Sequence, residues 1–226
     1  MSIESAYDDW AEQYDTNDNK TRDLDAVATI ETLSKYAFDT VLELGCGTGK
    51  NTRWLLQKAT CVIGVDFSRV MLDIARAKVT DKRVQFKRAD LTKTWDLGHP
   101  LFDLVTSSLT LEHIENLNHI FGQANRALVE NGLLFISELH PYKQYGGSGA
   151  RYTTQRSTVH LEVYTHHITD YVDSACINGF TLVELREWFD EKDKRGTPRL
   201  ISFVFRKHAQ KMLFHRRSSS IICADY

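Results

Sequence analysis

Three glycines in five residues, Gly45-Cys46-Gly47-Thr48-Gly49, directly follow the apolar run Thr40-Val41-Leu42-Glu43-Leu44. Without a β-carbon in the way, a glycine-rich turn at a strand end lets the main chain bend sharply and approach a ligand closely. Asp66 closes a second apolar run, Cys61-Val62-Ile63-Gly64-Val65, 21 residues beyond Gly45. A carboxylate at that distance can accept hydrogen bonds from both hydroxyls of a ribose. Asp90 follows a third run, Val84-Gln85-Phe86, where it would stand beside an adenine. Together these positions describe an adenosine site. The dinucleotide pattern Gly-x-Gly-x-x-Gly is broken, because its third glycine position holds Lys50 and Gly49 falls one residue early, so an NAD(P)-binding oxidoreductase is the alternative rather than the first reading.

The elements that must position these residues are legible as alternating runs. Leu24, Val27, Ile30, Leu33 and Tyr36 recur at helical spacing before the first strand. Ser68 is placed to cap a helix through Val79, Phe102 to Thr106 reads as a fourth strand, and a helix from about Leu117 to Leu128 precedes Asn131-Gly132. The glycine there suits a left-handed turn into a fifth strand, Leu133 to Ile136. Strands alternating with helices imply a mostly parallel sheet covered on both faces. The rhythm stops at His140, and Pro141 to about Thr165, with Gly146-Gly147-Ser148-Gly149, reads as an irregular connection or cap. A helix from Ile168 to Asn178, a turn at Gly179 and strands Thr181 to Trp188 and Leu200 to Phe205 complete the pattern. The short link Asp190 to Pro198 suits a hairpin, so the last strand is expected to run antiparallel.

Composition narrows the class further. With 42% hydrophobic and 26% charged residues over 226 positions, the chain reads as an ordinary globular domain. A net charge of −2 supplies no global positive field, so nucleic acid is not expected as a partner. No apolar run approaches the ~20 residues that span a bilayer and the first residues are not signal-like, so no membrane and a cytoplasmic location are expected. Cys46, Cys61, Cys176 and Cys223 are widely spaced and form no Cys-x-x-Cys pair. They read as buried reduced thiols, with no metal site.

The sequence resembles the class I S-adenosylmethionine-dependent methyltransferases, in particular the small-molecule branch of ubiquinone/menaquinone- and biotin-pathway type. The resemblance rests on Val41–Gly49, Val62–Ser68, Ala89-Asp90-Leu91, Phe102–Val105, Asn131–Leu134 and Tyr171 through Phe180. It implies an α/β fold, a doubly wound seven-stranded mostly parallel Rossmann-like sheet with an antiparallel last strand and a small cap. Residues 1–207 would form a single methyltransferase domain, with 1–23 as an N-terminal lid segment, 141–167 as a cap or substrate insertion, and 208–226 as a C-terminal tail. Tyr7, Trp10 and Tyr14 resemble the segment Tyr-x-x-x-Ala-x-x-Tyr-Asp that closes over the cofactor; on residue type alone they fit the apolar face of a helix equally well.

The implied cofactor is S-adenosyl-L-methionine, leaving as S-adenosyl-L-homocysteine. Its implied contacts are Glu43, Gly45, Cys46, Gly47 and Gly49 around the glycine turn, Asp66, Phe67 and Met71 after the second strand, Asp90 and Leu91 after the third, Ser107 on the fourth, and Tyr14. Cys46, between glycines, is expected to pack rather than to attack. The implied reaction is in-line displacement at the sulfonium methyl by a small-molecule acceptor, with O-, N- and C-methylation all open. No Asn-Pro-Pro-Tyr-like motif follows the fourth strand, where Thr106-Ser107-Ser108-Leu109-Thr110 stands, which weighs against planar amine acceptors.

A base is needed only for a protonated acceptor, and His113 and His140, after the fourth and fifth strands, are the candidates. Each also fits a structural role. His166, His167, Tyr142, Tyr145, Arg151 and Tyr152 are candidates for the wall of an acceptor pocket. A non-catalytic S-adenosylmethionine-binding regulatory module is a further alternative. The tail cations Lys211, Arg216 and Arg217 read as a solvated end rather than an RNA-binding one. Oligomeric state is not legible.

Overall fold

The computed structural model describes residues 3–97, 101–153, 158–191 and 196–209, without the side chains of Glu12, Tyr152 and Thr153. The expected tail with Lys211, Arg216, Arg217 and Cys223 therefore lies outside the described residues, apart from 208 and 209. Two helices open the chain, α1 (Ile3–Tyr14) and α2 (Lys20–Leu33). There follow β1 (Thr40–Leu44), α3 (Lys50–Leu55), β2 (Cys61–Asp66), α4 (Arg69–Lys78), β3 (Val84–Arg88) and β4 (Phe102–Ser108). A 3-10 turn at Leu111–His113 leads to α5 (Leu117–Ala127) and β5 (Leu128–Leu139). The cap holds α6 (Pro141–Tyr145), β6 (Arg151–Thr153) and β7 (Thr158–His160), and α7 (Ile168–Ile177), β8 (Phe180–Trp188) and β9 (Leu200–Lys207) end the fold.

Seven strands form one sheet in the order β3-β2-β1-β4-β5-β9-β8. Strands β1 to β5 pair in parallel, and β9 runs antiparallel to both β5 and β8, the latter as the short link between them favours. The order turns back between β1 and β4, so the helices after these two strands cross to opposite faces. The crevice this opens at their carboxyl ends is where open α/β sheets bind ligands.

Continuous apolar runs on the central strands follow from burial of both faces. Val41, Val62 and Leu104 pack with Leu33 and Leu55 on one side. Leu42, Ile63 and Val105 pack with Ile120, Phe121 and Ala124 on the other. Each fully buried side chain of this size contributes about 1.5–3 kcal/mol relative to exposure, so the sheet edge above them is a rigid platform. None of the described helices is long and apolar enough to cross a membrane.

Several local expectations are corrected. Helix α2 exists, but it does not bury the stripe its apolar spacing suggests: Val27 and Ile30 are 45% and 40% exposed, while Asp25, Ala28, Thr29 and Thr32 face inward. The inward face meets polar groups, with Asn51 donating to Asp25 Oδ2 at 3.1 Å, so polar residues win the buried positions. Strand β5 runs from Leu128 to Leu139, longer than Leu133 to Ile136, and the left-handed residue is Asn131 (φ 63°), inside the strand, rather than Gly132. Gly132 is needed for space instead, since a β-carbon there would lie 2.9 Å from the Val129 carbonyl oxygen. The cap is less irregular than expected, because β6 and β7 pair as a hairpin, Arg151 opposite His160. Among the thiols, Cys46 is buried, but Cys61 is half-buried and Cys176 exposed.

Candidate active site

Two cavities flank α1 at the carboxyl edge of the sheet. The first, about 820 Å³, is bounded by the ends of β1, β2, β3 and β4, by Ile3 to Tyr7 of α1 and by the chain from Val159 to Glu162. Its floor is the glycine turn. Gly45 takes φ 63°, and a β-carbon there would fall 2.1 Å from Thr110 Oγ1, so no other residue fits without moving the chain. Gly47 takes φ 50°, and a β-carbon there would meet no protein atom within 4 Å; bare main chain faces the open space.

Asp66 holds this turn in place. Its Oδ2 accepts from the Gly47 N–H at 2.9 Å and its Oδ1 from the Ser68 N–H at 2.9 Å, leaving lone pairs on both oxygens for a ligand. Burial lifts its carboxyl to about 6 against the pull of these backbone donors, so it is mostly ionised at neutral pH. Asp90, on the same cavity wall, accepts from the Thr92 N–H at 2.9 Å and the Thr92 hydroxyl at 2.6 Å, which hold it below the usual carboxylate range. Ala89, Leu91 and Ile114 supply an apolar wall beside it, and Phe67 and Met71 complete the lining from the β2 end.

Helix α1 is fastened over this cavity at several points. Arg88 pairs with Glu4 at 2.6 Å and Ser68 donates to Asp8 at 2.6 Å. Just beyond the helix, Asp15 accepts from Thr48 at 2.8 Å and from Lys78 at 2.6 Å. Inside, Tyr7 packs edge-on against Phe67 and His113. His113 Nδ1 lies 3.1 Å from the Glu162 carbonyl oxygen, which only accepts, so the proton is assigned to Nδ1. Nε2 then accepts from the Tyr7 hydroxyl at 2.8 Å. Burial lowers the His113 imidazole and raises the Tyr7 phenol, so both are neutral near pH 7.

The second cavity, about 580 Å³, shares Tyr7, Tyr14 and Leu109 with the first and opens between the start of α2, α6 and β6. Lys20, Arg22, Lys143, Arg151 and Arg199 line it, with Asp18 and Glu112 as its acids. Burial raises Glu112 to about 7. Next to it, Glu138 Oε1 accepts from the Thr110 and Leu111 N–H groups at 3.0 and 2.9 Å, and burial raises that carboxyl to about 8. Glu138 thus shapes the turn that carries Thr110, Glu112 and His113.

Of the expected site residues, Gly45, Gly47, Asp66, Phe67, Met71, Asp90, Leu91, Tyr14 and His113 meet at the first cavity. Others stand apart from both. Glu43 is buried under α3, accepts from the Thr52 hydroxyl and is raised by burial to about 8, so it props the helix. Cys46 is 6% exposed and packs against Gly64, its thiol pushed up by burial. Gly49 caps α3 with φ 79°, its α-carbon turned toward Val79. Ser107 is buried on β4, where strand alternation presents Ser108 to the cavity instead.

His140 lines neither cavity. Its Nδ1 accepts from the Tyr142 N–H at 3.1 Å, capping α6, and its Nε2 lies 3.1 Å from Glu187. His166 donates from Nε2 to the carbonyls of Leu111 and Ile114 and so clamps the 3-10 turn. His167 is held by the Tyr145 hydroxyl at 2.7 Å, and Tyr142 and Tyr145 are exposed. Arg151 does line the second cavity. Sequence reasoning passed over Glu112, Glu138 and Arg22. The available signal was a carboxylate ending the fifth apolar run and another in the turn after the fourth; Arg22 had none.

Comparison with known proteins agrees with this architecture. Residues 42–136 match the Methyltransf_11 family, described as a methyltransferase domain. An uncharacterized methyltransferase of Emericella nidulans is 25% identical, over 88% of this chain and 82% of that protein. The demethylmenaquinone methyltransferase of Clavibacter sepedonicus is 31% identical over 50% of this chain, so the shared stretch takes in only 46% of that relative. The crystal structure of an S-adenosylmethionine dependent methyltransferase from Mesorhizobium loti has the same fold, with a TM-score of 0.66 and 22% identity over 81% of this chain and 100% of that one.

Proposed function

We propose that this chain, a class I S-adenosylmethionine-dependent methyltransferase by its domain at residues 42–136 and by its sheet, transfers the cofactor's methyl group to a small-molecule acceptor. The observation that carries the reading is the alignment along one cavity of a glycine turn, Asp66 and Asp90 at the carboxyl ends of three adjacent strands. These residues fit S-adenosylmethionine. Bare main chain at Gly47 admits the methionyl part, the free lone pairs of Asp66 suit ribose hydroxyls, and Asp90 with Leu91 suits the adenine. When bound, the cofactor supplies a methyl group already activated by the sulfonium charge.

The protein's task is then positional. Helix α1 and the chain from Val159 to Glu162 wall the first cavity, and holding two reactants in line is worth up to roughly 7–11 kcal/mol in well-oriented models. In this reading residues 1–23 act as the lid and residues 141–167 as the wall of the acceptor's chamber. For an acceptor that arrives protonated, His113 is the base: Tyr7 takes the proton on its oxygen as its own hydroxyl proton passes to His113 Nε2, 2.8 Å away. His140 has no part in this.

Calorimetric titration with S-adenosylhomocysteine and with NADH tests the cofactor; tight binding of only the latter would reverse the assignment. Incubation with isotopically labelled cofactor and a metabolite extract, followed by mass spectrometry, tests transfer. Cofactor binding without any labelled metabolite would favour a regulatory module.

A further inference from the structure

The second cavity carries an inference about the acceptor, and it rests on the first cavity being the cofactor's. Five cations from four separate segments converge on it: Lys20 and Arg22 from the start of α2, Lys143 from α6, Arg151 from β6, and Arg199 just before β9. Arg199 is already committed, pairing with Asp190 and donating to Thr21 Oγ1 at 3.2 Å. The other four have no carboxylate within ion-pair range among the described side chains, and Lys20 and Lys143 share, at longer range, the field of the Asp190 that Arg199 already holds.

Arg22 is the informative member, because it is only 8% exposed. Its guanidinium lies over the Tyr14 ring, 4.2 Å from the centroid, and donates to the Asn17 carbonyl at 2.9 Å. A guanidinium taken this far out of water is unfavourable until an anion offsets the loss of hydration, and gathering further unpaired cations around it adds repulsion. Gly47, Asp66 and Asp90 line only the first cavity, so the wall of cations faces a different ligand from the one those residues hold. Tyr7, Tyr14 and Leu109 border both spaces, so a molecule seated in the second can reach into the first.

We propose that the methyl acceptor bears an oxyanion, a carboxylate or a phosphate, which Lys20, Arg22, Lys143 and Arg151 hold in the second cavity while its reacting end passes Tyr7 and Tyr14. The anion is the handle that orients the acceptor, and the wall discriminates against neutral and cationic molecules of similar size. A volume of about 580 Å³ sets the scale at a small metabolite.

The test is calorimetry on the full chain saturated with S-adenosylhomocysteine, titrated at constant ionic strength with inorganic phosphate and, separately, with succinate. Saturable binding of one or both is expected; phosphate alone would identify a phosphorylated acceptor and succinate alone a carboxylate. Arg151 is exposed and Lys143 half-buried, so R151Q and K143Q leave the core untouched, and each is expected to weaken the anion at least 5-fold while changing S-adenosylhomocysteine affinity less than 2-fold. Absence of anion binding to the saturated protein, binding indifferent to both substitutions, or displacement of S-adenosylhomocysteine by the anion would each overturn the proposal. Failure of S-adenosylhomocysteine itself to bind would instead bring down the cofactor reading on which it rests.

Discussion

The two cavities beside α1 are built by opposite means. The first is made of strand ends, main chain and short side chains held by neighbouring N–H groups, such as Asp66 between Gly47 and Ser68. The second is made of long cationic side chains reaching in from segments far apart in sequence, Arg22 and Arg151 among them. A site of the first kind is rigid and specific for one shape of ligand, because the sheet beneath it fixes each donor and acceptor. A site of the second kind recognises charge and changes easily, since its cations reach in from α2, α6, β6 and the link before β9 rather than from the ends of the parallel strands. The contrast suits a molecule with one unvarying ligand and another that must be selected.

This comparison can be broken. The largest effect is expected from Gly45→Ala, where φ 63° and the Thr110 side chain at 2.1 Å from the added carbon leave no room. Loss of S-adenosylhomocysteine binding by more than about 100-fold is expected, with a stability loss on the order of 1–3 kcal/mol. Near-normal affinity by calorimetry would mean the turn is not the rigid element it is taken to be. For Asp66→Ala, affinity for S-adenosylhomocysteine is expected to fall by about 1–3 kcal/mol, with anion binding in the second cavity retained. Equal loss at both cavities would erase the distinction between them.

A third prediction concerns pH. Glu138 and Glu43 titrate at about 8 and Glu112 at about 7 in the folded chain, all raised by burial. In the unfolded chain a glutamate titrates near 4.3. The native state therefore holds protons that the unfolded chain releases, so stability falls as pH rises from about 4.5 to about 8 and levels off above. A loss of at least about 1 kcal/mol across that window is expected, a few degrees of Tm for a chain of this size. Glu138→Gln should flatten the slope; a melting temperature that rises steadily from pH 5 to pH 8 would contradict the burial assigned to these carboxyls.

The smallest effect is expected at His140→Ala. Removing the cap on Tyr142 should lower stability by about 1 kcal/mol and leave turnover within about twofold, whereas His113→Ala slows turnover of any acceptor that must lose a proton. A slow His140→Ala enzyme of normal stability would return that histidine to the chemistry.

What the sequence revealed divides along the same line as the cavities. The strands and the residues at their carboxyl ends were legible because an uninterrupted apolar run that stops at glycine or aspartate marks a buried strand emerging at the sheet edge. The antiparallel pairing of β9 with β8 was legible from the length of a single link. Helix α2 misled, because Val27 and Ile30 mark an apolar stripe that faces solvent while Asp25 and Thr29 go inward. Its buried face is mixed: Ala28 and Leu33 pack with apolar side chains such as Trp188 and Val62, while Asp25 meets Asn51, a pairing that periodicity cannot show. His140 misled for a different reason: adjacency to a strand end does not say which way a side chain turns, and here it turns to cap α6. Of the second cavity only Arg151 was legible, as a candidate for an acceptor-pocket wall; Lys20 and Arg22 on α2 and Lys143 on α6 are brought beside it only by the fold.

Tyr7 and Tyr14 form a partition common to both chambers. Energy spent in settling that partition is shared between the two occupants, so whichever molecule arrives first lowers the penalty for the second. By reciprocity the factor is the same in either order of addition. Each occupant is thereby expected to bind more tightly when the other is already in place.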